Sequence, residues 1–505
     1  MPYKDLREFI QDLEKEGELL RIKDKVSPIL EITEIADHVM KLPDGGKALL
    51  FENVEGYPGI PVLINAFGSE KRMKMALGVK EFEDIGWKLY RILKPEVPNT
   101  FLDKLKRIPE LKKLNDAIPR VVKTGKVKEV IKTGKDVNVF DFPVLKCWPK
   151  DGGRFITLPQ VISKDPETGL RNVGMYRIQL LDKDKIILHW QIHKGGAKHY
   201  WKYKERGEKI PVAVAIGGDP VLTYVASAPL PEDVDEYLFA GIIREKAVEL
   251  VKCETVDIEV PADAEIVIEG YVDPNEPLAD EGPFGDHTGF YTPVDKYPVM
   301  HVTGITYRKN PVYLTTIVGK PPMEDGWMGK ATERIFLPLI KFNLPEVVDY
   351  NLPVSGCFHN FCFVSIKKRY PGHAYKVMDA LWGMGQMMFT KNIVVFDEWV
   401  DVQNIDEVLW IWGNNVDPLR DVVIKKGVID VLDHSTDLVG FGGKMGIDAT
   451  TKWKEEGYQR EWPELAEMDE KTKQKVRPIV DKVIKEIVKD TVEKEMEKVK
   501  KLYNM

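Results

Sequence analysis

Cysteine is scarce: Cys147, Cys253, Cys357 and Cys362 are the four in a chain of 505 residues. So few exclude a disulfide framework, and none forms a C-x-x-C pair, so a reducing compartment is expected. No stretch approaches 18 uncharged apolar residues, which leaves no candidate membrane-spanning helix. The first ten residues, Met-Pro-Tyr-Lys-Asp-Leu-Arg-Glu-Phe-Ile, place charges where a signal peptide needs an apolar core. A cytoplasmic protein is expected, meeting a membrane only at its periphery. Excess positive charge is also missing: 73 Lys and Arg face 80 Asp and Glu, a formal charge of -7, which argues against a nucleic-acid partner. There is no internal repeat and no low-complexity segment. The run Gly440-Phe441-Gly442-Gly443-Lys444-Met445-Gly446 lacks phosphate-loop spacing and misses the dinucleotide fingerprint by one position, so it reads as a turn. Cys357-Phe358-His359-Asn360-Phe361-Cys362 offers three soft ligands in a strand-like context, too few for structural zinc, and its cysteines read as core.

The length itself implies two to four domains. In the first third, Leu6, Phe9, Ile10 and Leu13 recur at helical steps, a second helix is expected over Ile29 to Met40, and buried strands over Ala48 to Phe51 and Pro61 to Phe67. A Lys-rich helical stretch follows to about 115, making a small α/β domain. From about Val127 to Thr306 the pattern becomes strands with turn punctuation, a meandering sheet or barrel interrupted by helices at Ala197 to Arg206 and Val234 to Val251. After 310 strands and helices alternate again: Val312 to Ile317, a helix around Lys330 to Phe342, Phe361 to Ile366, His373 to Met384 and Ile393 to Phe396. Finally Val476, Ile479, Val480, Val483, Ile484, Ile487, Val488, Val492, Met496 and Val499 form an apolar stripe on a long terminal helix, a face that docks on a neighbour or a partner subunit. The fold class is thus α/β plus a central β-barrel, with expected divisions at 1–115, 116–310 and 311–505.

Three constellations carry chemistry. Asp280-Glu281-Gly282-Pro283-Phe284-Gly285-Asp286-His287-Thr288-Gly289 packs carboxylates and an imidazole among glycines, and it reads as neither regular helix nor strand. If Glu281 and Asp286 share a cavity, repulsion and desolvation separate their pKa values, so that one holds a proton while the other stays ionised. A polar surface turn is the competing reading. Asn172-Val173-Gly174-Met175-Tyr176-Arg177 reads as a strand in which alternation sets Asn172 opposite Arg177, unless Gly174 resets it. An arginine projecting into a cavity clamps a carboxylate through paired hydrogen bonds; a solvated strand arginine is the alternative. His189-Trp190-Gln191-Ile192-His193-Lys194-Gly195-Gly196 ends a strand in a glycine turn ahead of a helix, where backbone N–H groups and Lys194 suit a phosphate, although such turns are common. His193 alone is more often a satisfied hydrogen-bonding residue than a ligand, and Glu236 in a first helical turn is explained by the helix dipole.

Taken together these segments resemble the UbiD decarboxylases. Glu-Gly-Pro-Phe-Gly-Asp-His-Thr-Gly at 281–289 is similar to the family's signature loop. The 172–177 and 189–196 segments, Val251-Lys252-Cys253 and Gly329-Lys330-Ala331-Thr332-Glu333 follow in the family's order, over nearly the whole chain. The resemblance implies an N-terminal α/β domain, a split barrel holding prenylated FMN, and a C-terminal α/β domain. It implies Asn172, His193 and Glu236 as ligands of a manganese or magnesium ion at the cofactor phosphate, with a potassium ion nearby. These oxygen and nitrogen donors suit a hard octahedral cation that keeps positions open for phosphate and water. Asn172, Met175, Tyr176, Arg177, His189, Trp190, Gln191, Lys194 and Gly195 would line the flavin, and Lys391 would reach its phosphate.

In family terms the modified flavin bonds to the substrate's unsaturated carbon and accepts electrons as carbon dioxide leaves. Arg177 would pair with Glu281 and steer the substrate carboxylate, and Asp286 would deliver the replacing proton. Asp rather than Glu at 286 points to an aromatic acid. The Gly-Asp-His-Thr-Gly form resembles quinone-pathway members acting on polyprenylated 4-hydroxybenzoate or a dihydroxynaphthoate, while Pro321 to Met328 departs from the ubiquinone pattern. A polyprenylated substrate would bring the protein to the inner face of the membrane. The resemblance further implies a dimer or hexamer and a separate flavin prenyltransferase. Two rivals stand beside it: an ordinary FMN oxidoreductase, which would need a nicotinamide site and no paired acids, and a non-catalytic subunit supporting a carboxylase.

Overall fold

The computed structural model describes residues 3–94, 112–191, 195–231 and 234–502, with side chains as far as 489. The chain forms a body, Met1–Thr450, and a C-terminal unit, Thr451–Met505. In the body, Asp5 caps the helix Leu6–Lys15 by accepting from the backbone N–H groups of Arg7 and Glu8, and the stripe Leu6, Phe9, Ile10 and Leu13 is buried. Beside it lies a four-stranded sheet in the order Leu19–Val26, Ala48–Val54, Val62–Ile64 and Tyr313–Leu314. The last strand runs parallel to Val62–Ile64. The 312–317 segment, expected to open the C-terminal α/β layer, therefore completes the N-terminal sheet, because Tyr313 and Leu314 bury their side chains in the same core as Val62 and Leu63. The helix expected up to 115 is present as Glu83–Leu93 and again at 112–117; the residues between, 95–111, lie outside the described ones.

The central layer is a curled half-barrel of nine antiparallel strands. Its path runs Phe155–Ile156, Ile178–Asp182, Lys185–Leu188, Val299–Tyr307, Ile266–Val272, Ile210–Ile216, Gln160–Lys164, Arg171–Gly174, with Val130–Thr133 joining Val299–Tyr307 from the side. The helices Gly195–Arg206 and Glu236–Arg244 both pack against the edge strand Arg171–Gly174. The second is shorter than the expected 234–251 helix. Glu245 takes a left-handed conformation at φ 54° and ends it, and Glu249–Lys252 pairs as a strand with Glu259–Pro261 and Arg120–Val121, burying Leu250 and Val251.

The helix Glu324–Asn343 leads to a five-stranded sheet ordered Val347–Asn351, Phe361–Ile366, Asn392–Asp397, Phe441–Asp448, Val422–Val428. The glycine-rich run read as a turn is mostly its fourth strand, Phe441–Asp448, parallel to Asn392–Asp397. Gly440, at φ 73°, makes the turn before the strand, whereas Gly446 serves close packing. A Cβ on Gly446 would lie 2.5 Å from the Met378 sulfur and 2.9 Å from both Trp382 and Val423 side-chain carbons. Gly446→Ala is expected to destabilise the protein by about 1–3 kcal/mol through overpacking, measured by urea unfolding; an unchanged midpoint would mean that this core yields freely.

In the C-terminal unit the helix Glu470–Leu502 leaves Ile479, Val480, Val483, Ile484, Ile487 and Val488 exposed. The side chains of Val492, Met496 and Val499 lie outside the described ones. Among the described residues no helix is long and apolar enough to cross a membrane.

Candidate active site

The strand Arg171–Gly174 stops at Gly174, and the next, Ile178–Asp182, begins just after Arg177. Asn172 and Arg177 thus flank a break between strands, and the alternation that would set them on opposite faces of one strand does not govern them. The signature segment is a small two-tier hairpin rather than wholly irregular chain. Ala279–Glu281 pairs with Asp295–Tyr297, and Phe284–Gly285 with Tyr291–Thr292. Gly282 and Pro283 interrupt the pairing between the tiers, so Glu281 leaves one tier and Asp286 follows the other, and both reach Arg177.

Arg177 forms a fork on Glu281, Nε to Oε1 at 2.7 Å and Nη2 to Oε2 at 2.8 Å, and its Nη1 donates to Asp286 Oδ2. Its guanidinium also sits over the Phe284 ring, 4.9 Å from the centroid. The three side chains are almost closed to solvent, 8% exposed for Arg177, 0% for Glu281 and 10% for Asp286, so their charges act at low screening. Burial works against both carboxylates, yet His189 and Arg177 hold Glu281 below its ordinary range, and His287 and Arg177 hold Asp286 well below its own. The expectation that repulsion would leave a proton on one of the pair is overturned: the guanidinium between them ionises both.

The neighbouring imidazole shifts the opposite way. Burial lowers the proton affinity of His287, but the hydrogen bond and charge of Asp286, with Asp325 and Asp430 beyond, outweigh it and raise its pKa. His287 Nδ1 lies 3.1 Å from Asp286 Oδ1, its backbone N–H donates to the same oxygen at 2.8 Å, and its Nε2 lies 2.8 Å from His359 Nε2. Burial takes His359 down to about 4, leaving it neutral. The segment set aside as a poor zinc motif thus supplies a site residue. Its only sequence signal is a histidine between two core cysteines; the contact spans 72 residues. Tyr297, whose ring lies 4.2 Å from that of His189, was likewise unmarked.

Contacts join several of the described residues that the resemblance assigns to the flavin. Tyr176 is buried, and its hydroxyl accepts from the backbone N–H of Gly196 at 3.3 Å; Met175 is half-buried, its N–H donating to Ala226, and Gln191 is half-buried. His189 Nδ1 is 3.3 Å from Glu281. Among the described residues, Asn172 Nδ2, His189 Nε2 and Trp190 Nε1 are buried without a hydrogen-bond partner, polar atoms that a polar cofactor would satisfy. A Cβ on Gly195 would lie 2.0 Å from Asn172 Oδ1, so only glycine lets the helix start approach so closely. Glu236 is the first residue of its helix, and its Oε2 accepts from the Val173 N–H at 2.8 Å, next to Asn172. Burial pushes this carboxyl up to about 7. Asn172 and Glu236 bring an amide oxygen and a carboxylate into neighbouring positions, donors of the kind a hard cation takes. His193 and Lys194 lie outside the described residues, and among the described ones no three His, Cys, Asp or Glu cluster as a metal site. Lys391 is engaged elsewhere, 2.8 Å from Asp433 and 2.6 Å from Ser435 Oγ.

The half-barrel with its buried carboxylate–arginine–carboxylate site is that of a carboxy-lyase, the class to which its relatives belong. Models of the 3-octaprenyl-4-hydroxybenzoate carboxy-lyase N-terminal, Rift-related and C-terminal domains match 10–89, 120–321 and 326–449. The chain belongs to the UbiD family. An uncharacterised protein of Aquifex aeolicus (strain VF5) is 72% identical over 480 residues, covering 95% of this chain and 98% of that protein. Vanillic acid decarboxylase of Sedimentibacter hydroxybenzoicus in its closed form is 30% identical and superposes with a TM-score of 0.83 over 95% of this chain and 99% of that one. The UbiD-class enzyme HmfF of Pelotomaculum thermopropionicum, in complex with FMN, is 30% identical with a TM-score of 0.75 over 92% and 97%.

Proposed function

We propose that this protein decarboxylates, reversibly and without oxidation, an aromatic acid of phenolic or hydroxynaphthoic type, using prenylated FMN, in ubiquinone or menaquinone biosynthesis. The observation that carries this reading is the Arg177 fork between two buried carboxylates, Glu281 and Asp286. Vanillic acid decarboxylase supports the substrate class, and an evolved dimeric form of HmfF in complex with prFMN supports the cofactor.

Asn172, His193 and Glu236 would hold manganese or magnesium at the cofactor phosphate, with potassium nearby, and Met175, Tyr176, Trp190, Gln191, Lys194 and Gly195 would line the flavin. When bound, prenylated FMN would supply an electron sink that stabilises the carbon left as carbon dioxide departs. Arg177 binds the substrate carboxylate and orients it, since a planar fork matches two carboxylate oxygens. Glu281 and His189 hold that fork in place. Asp286 passes the proton that takes the place of carbon dioxide. Such a protein depends on a separate flavin prenyltransferase, and the exposed apolar stripe of its last helix suits assembly into a dimer or hexamer. The ion-paired acids are what a non-catalytic subunit has no need to keep buried.

The test is native mass spectrometry and the visible spectrum of protein co-expressed with a flavin prenyltransferase, then carbon dioxide release from prenylated and simple phenolic acids. Bound prenylated FMN with a divalent metal and turnover on one acid class is expected. A protein that stays apo, or carries only FMN and releases no carbon dioxide, sinks the reading.

A further inference from the structure

Each decarboxylation consumes one proton: the carbon–carboxylate bond breaks, its electron pair stays with the ring carbon, and a new C–H bond forms. The acid nearest Arg177 is poorly placed to store that proton, because Asp286 accepts hydrogen bonds on both oxygens, from Arg177 on Oδ2 and from the His287 backbone on Oδ1. We propose that His287 stores the proton and hands it to Asp286, and that His359 is the positioning residue that keeps the His287 ring aimed for this transfer. This inference rests on the decarboxylase reading.

The geometry is a line of three groups. His287 Nδ1 faces Asp286 Oδ1 at 3.1 Å, and the opposite nitrogen, Nε2, faces His359 Nε2 at 2.8 Å. Only one proton fits between the two Nε2 atoms. With His359 accepting there, a protonated His287 has one N–H for His359 and one for Asp286, and so donates at both ends. Phe358 stacks on the His287 ring at 5.3 Å and 17°, and Cys357 Sγ donates to the His287 carbonyl. Cys357 and Phe358 are consecutive non-glycine residues at φ 52° and 46°, a backbone held in a strained shape just before His359. The charged groups facing His287 are Asp286 on its own hairpin, Asp325 at the start of the helix Glu324–Asn343 and Asp430 in the loop after Val422–Val428, with Arg177 behind Asp286. Asp430 and Asp433 face His359, Asp433 being paired with Lys391.

A substrate carboxylate arriving at Arg177 competes with Asp286 for the guanidinium, and Asp286, its hold loosened, becomes the better base. The His287 Nδ1–H bond then breaks as the Asp286 O–H bond forms, and the O–H bond breaks in turn as the proton reaches the ring carbon. Neutral His287 takes its next proton from water between turnovers.

Two measurements on the co-expressed holoenzyme test this. Wild-type kcat is expected to fall on the alkaline side as His287 loses its proton. His287→Gln is expected to lower kcat by roughly 10²–10⁴-fold and erase that limb, while the flavin spectrum stays. His359→Leu is expected to keep most of kcat at low pH and move the limb down by about one pH unit, since the imidazolium loses an acceptor. Nitrogen-15 NMR of histidine-labelled protein, with and without cofactor, is expected to place the His287 pKa above 6.5 in the wild type and lower in His359→Leu. No turnover by the wild type would defeat the decarboxylase reading. Turnover with a His287 that titrates below 6.5, or with an alkaline limb unmoved in both variants, would overturn the proton store alone.

Discussion

Arg177→Ala is expected to abolish measurable turnover and to destabilise the fold. The side chain is 8% exposed and is the only cation in hydrogen-bond contact with Glu281 and Asp286 among the described lysines and arginines. Removing one member of a buried ion pair leaves uncompensated charge, which costs about 3–5 kcal/mol. Here two carboxylates lose the same partner, and they respond by taking up protons on folding. Carbon dioxide release should drop by at least roughly 10²–10³-fold, the usual loss of one positioned charge donor. Arg177→Lys would keep the charge and lose the fork, recovering stability better than activity. Unfolding midpoints in urea and initial rates at saturating substrate separate the two effects. A variant that unfolds at the wild-type midpoint and keeps a tenth of its rate would reduce Arg177 to a bystander.

Asp286→Asn is the second large effect, with kcat expected to fall by roughly 10²–10⁴-fold because an amide neither accepts nor releases the proton. Its stability signature depends on pH in a defined direction. The Asp286 carboxyl is held well below its unfolded range, so its ion pairs with Arg177 and His287 stabilise the native state above about pH 3.9. That contribution is lost as pH falls through the range between the unfolded and folded values. The wild type should therefore exceed Asp286→Asn in stability at neutral pH, and the gap should close in acid. The same change takes away the chief cause of the raised His287 pKa, so this histidine should titrate at lower pH in the variant. A gap that persists unchanged to pH 2 would mean that Asp286 is not ionised in the native state.

Much of this was written locally. The stripe Leu6, Phe9, Ile10 and Leu13 specifies its helix because four side chains on one face must find a core, and they do. The density of glycine, proline and carboxylate at 280–289 marked the site, although Gly285 also answers a packing need, a Cβ there falling 2.3 Å from Trp148. What escaped was set at long range. Arg177 stands between Glu281 and Asp286 because the chain breaks at Gly174 and because residues 104 and 109 positions away return to it, and no window of periodicity contains that. The ionisation of the pair is hidden for the same reason: two acids considered alone repel, and the cation between them comes from a break between two strands far away in sequence. His359 was invisible as a partner of His287. The glycines at 440–446 read as a turn because glycine usually signals one; Gly440 makes that turn, but Gly446 makes room for Met378 and Trp382 from a helix across the sheet.

The N-terminal sheet has a consequence for how the chain is made. Its third strand, Val62–Ile64, finds its outer neighbour in Tyr313–Leu314, about 250 residues later. At a synthesis rate of about 5–20 residues per second, that edge waits roughly 12–50 s on the ribosome for its partner, while the whole half-barrel is translated between them. During that interval it is a bare strand edge, the kind of surface that captures stray peptides. The half-barrel is in effect an insertion into a sheet begun first and finished after it, so an N-terminal fragment cut near 115 would leave the tunnel with an unsealed seam, and the nascent chain has reason to engage a chaperone until residue 314 emerges.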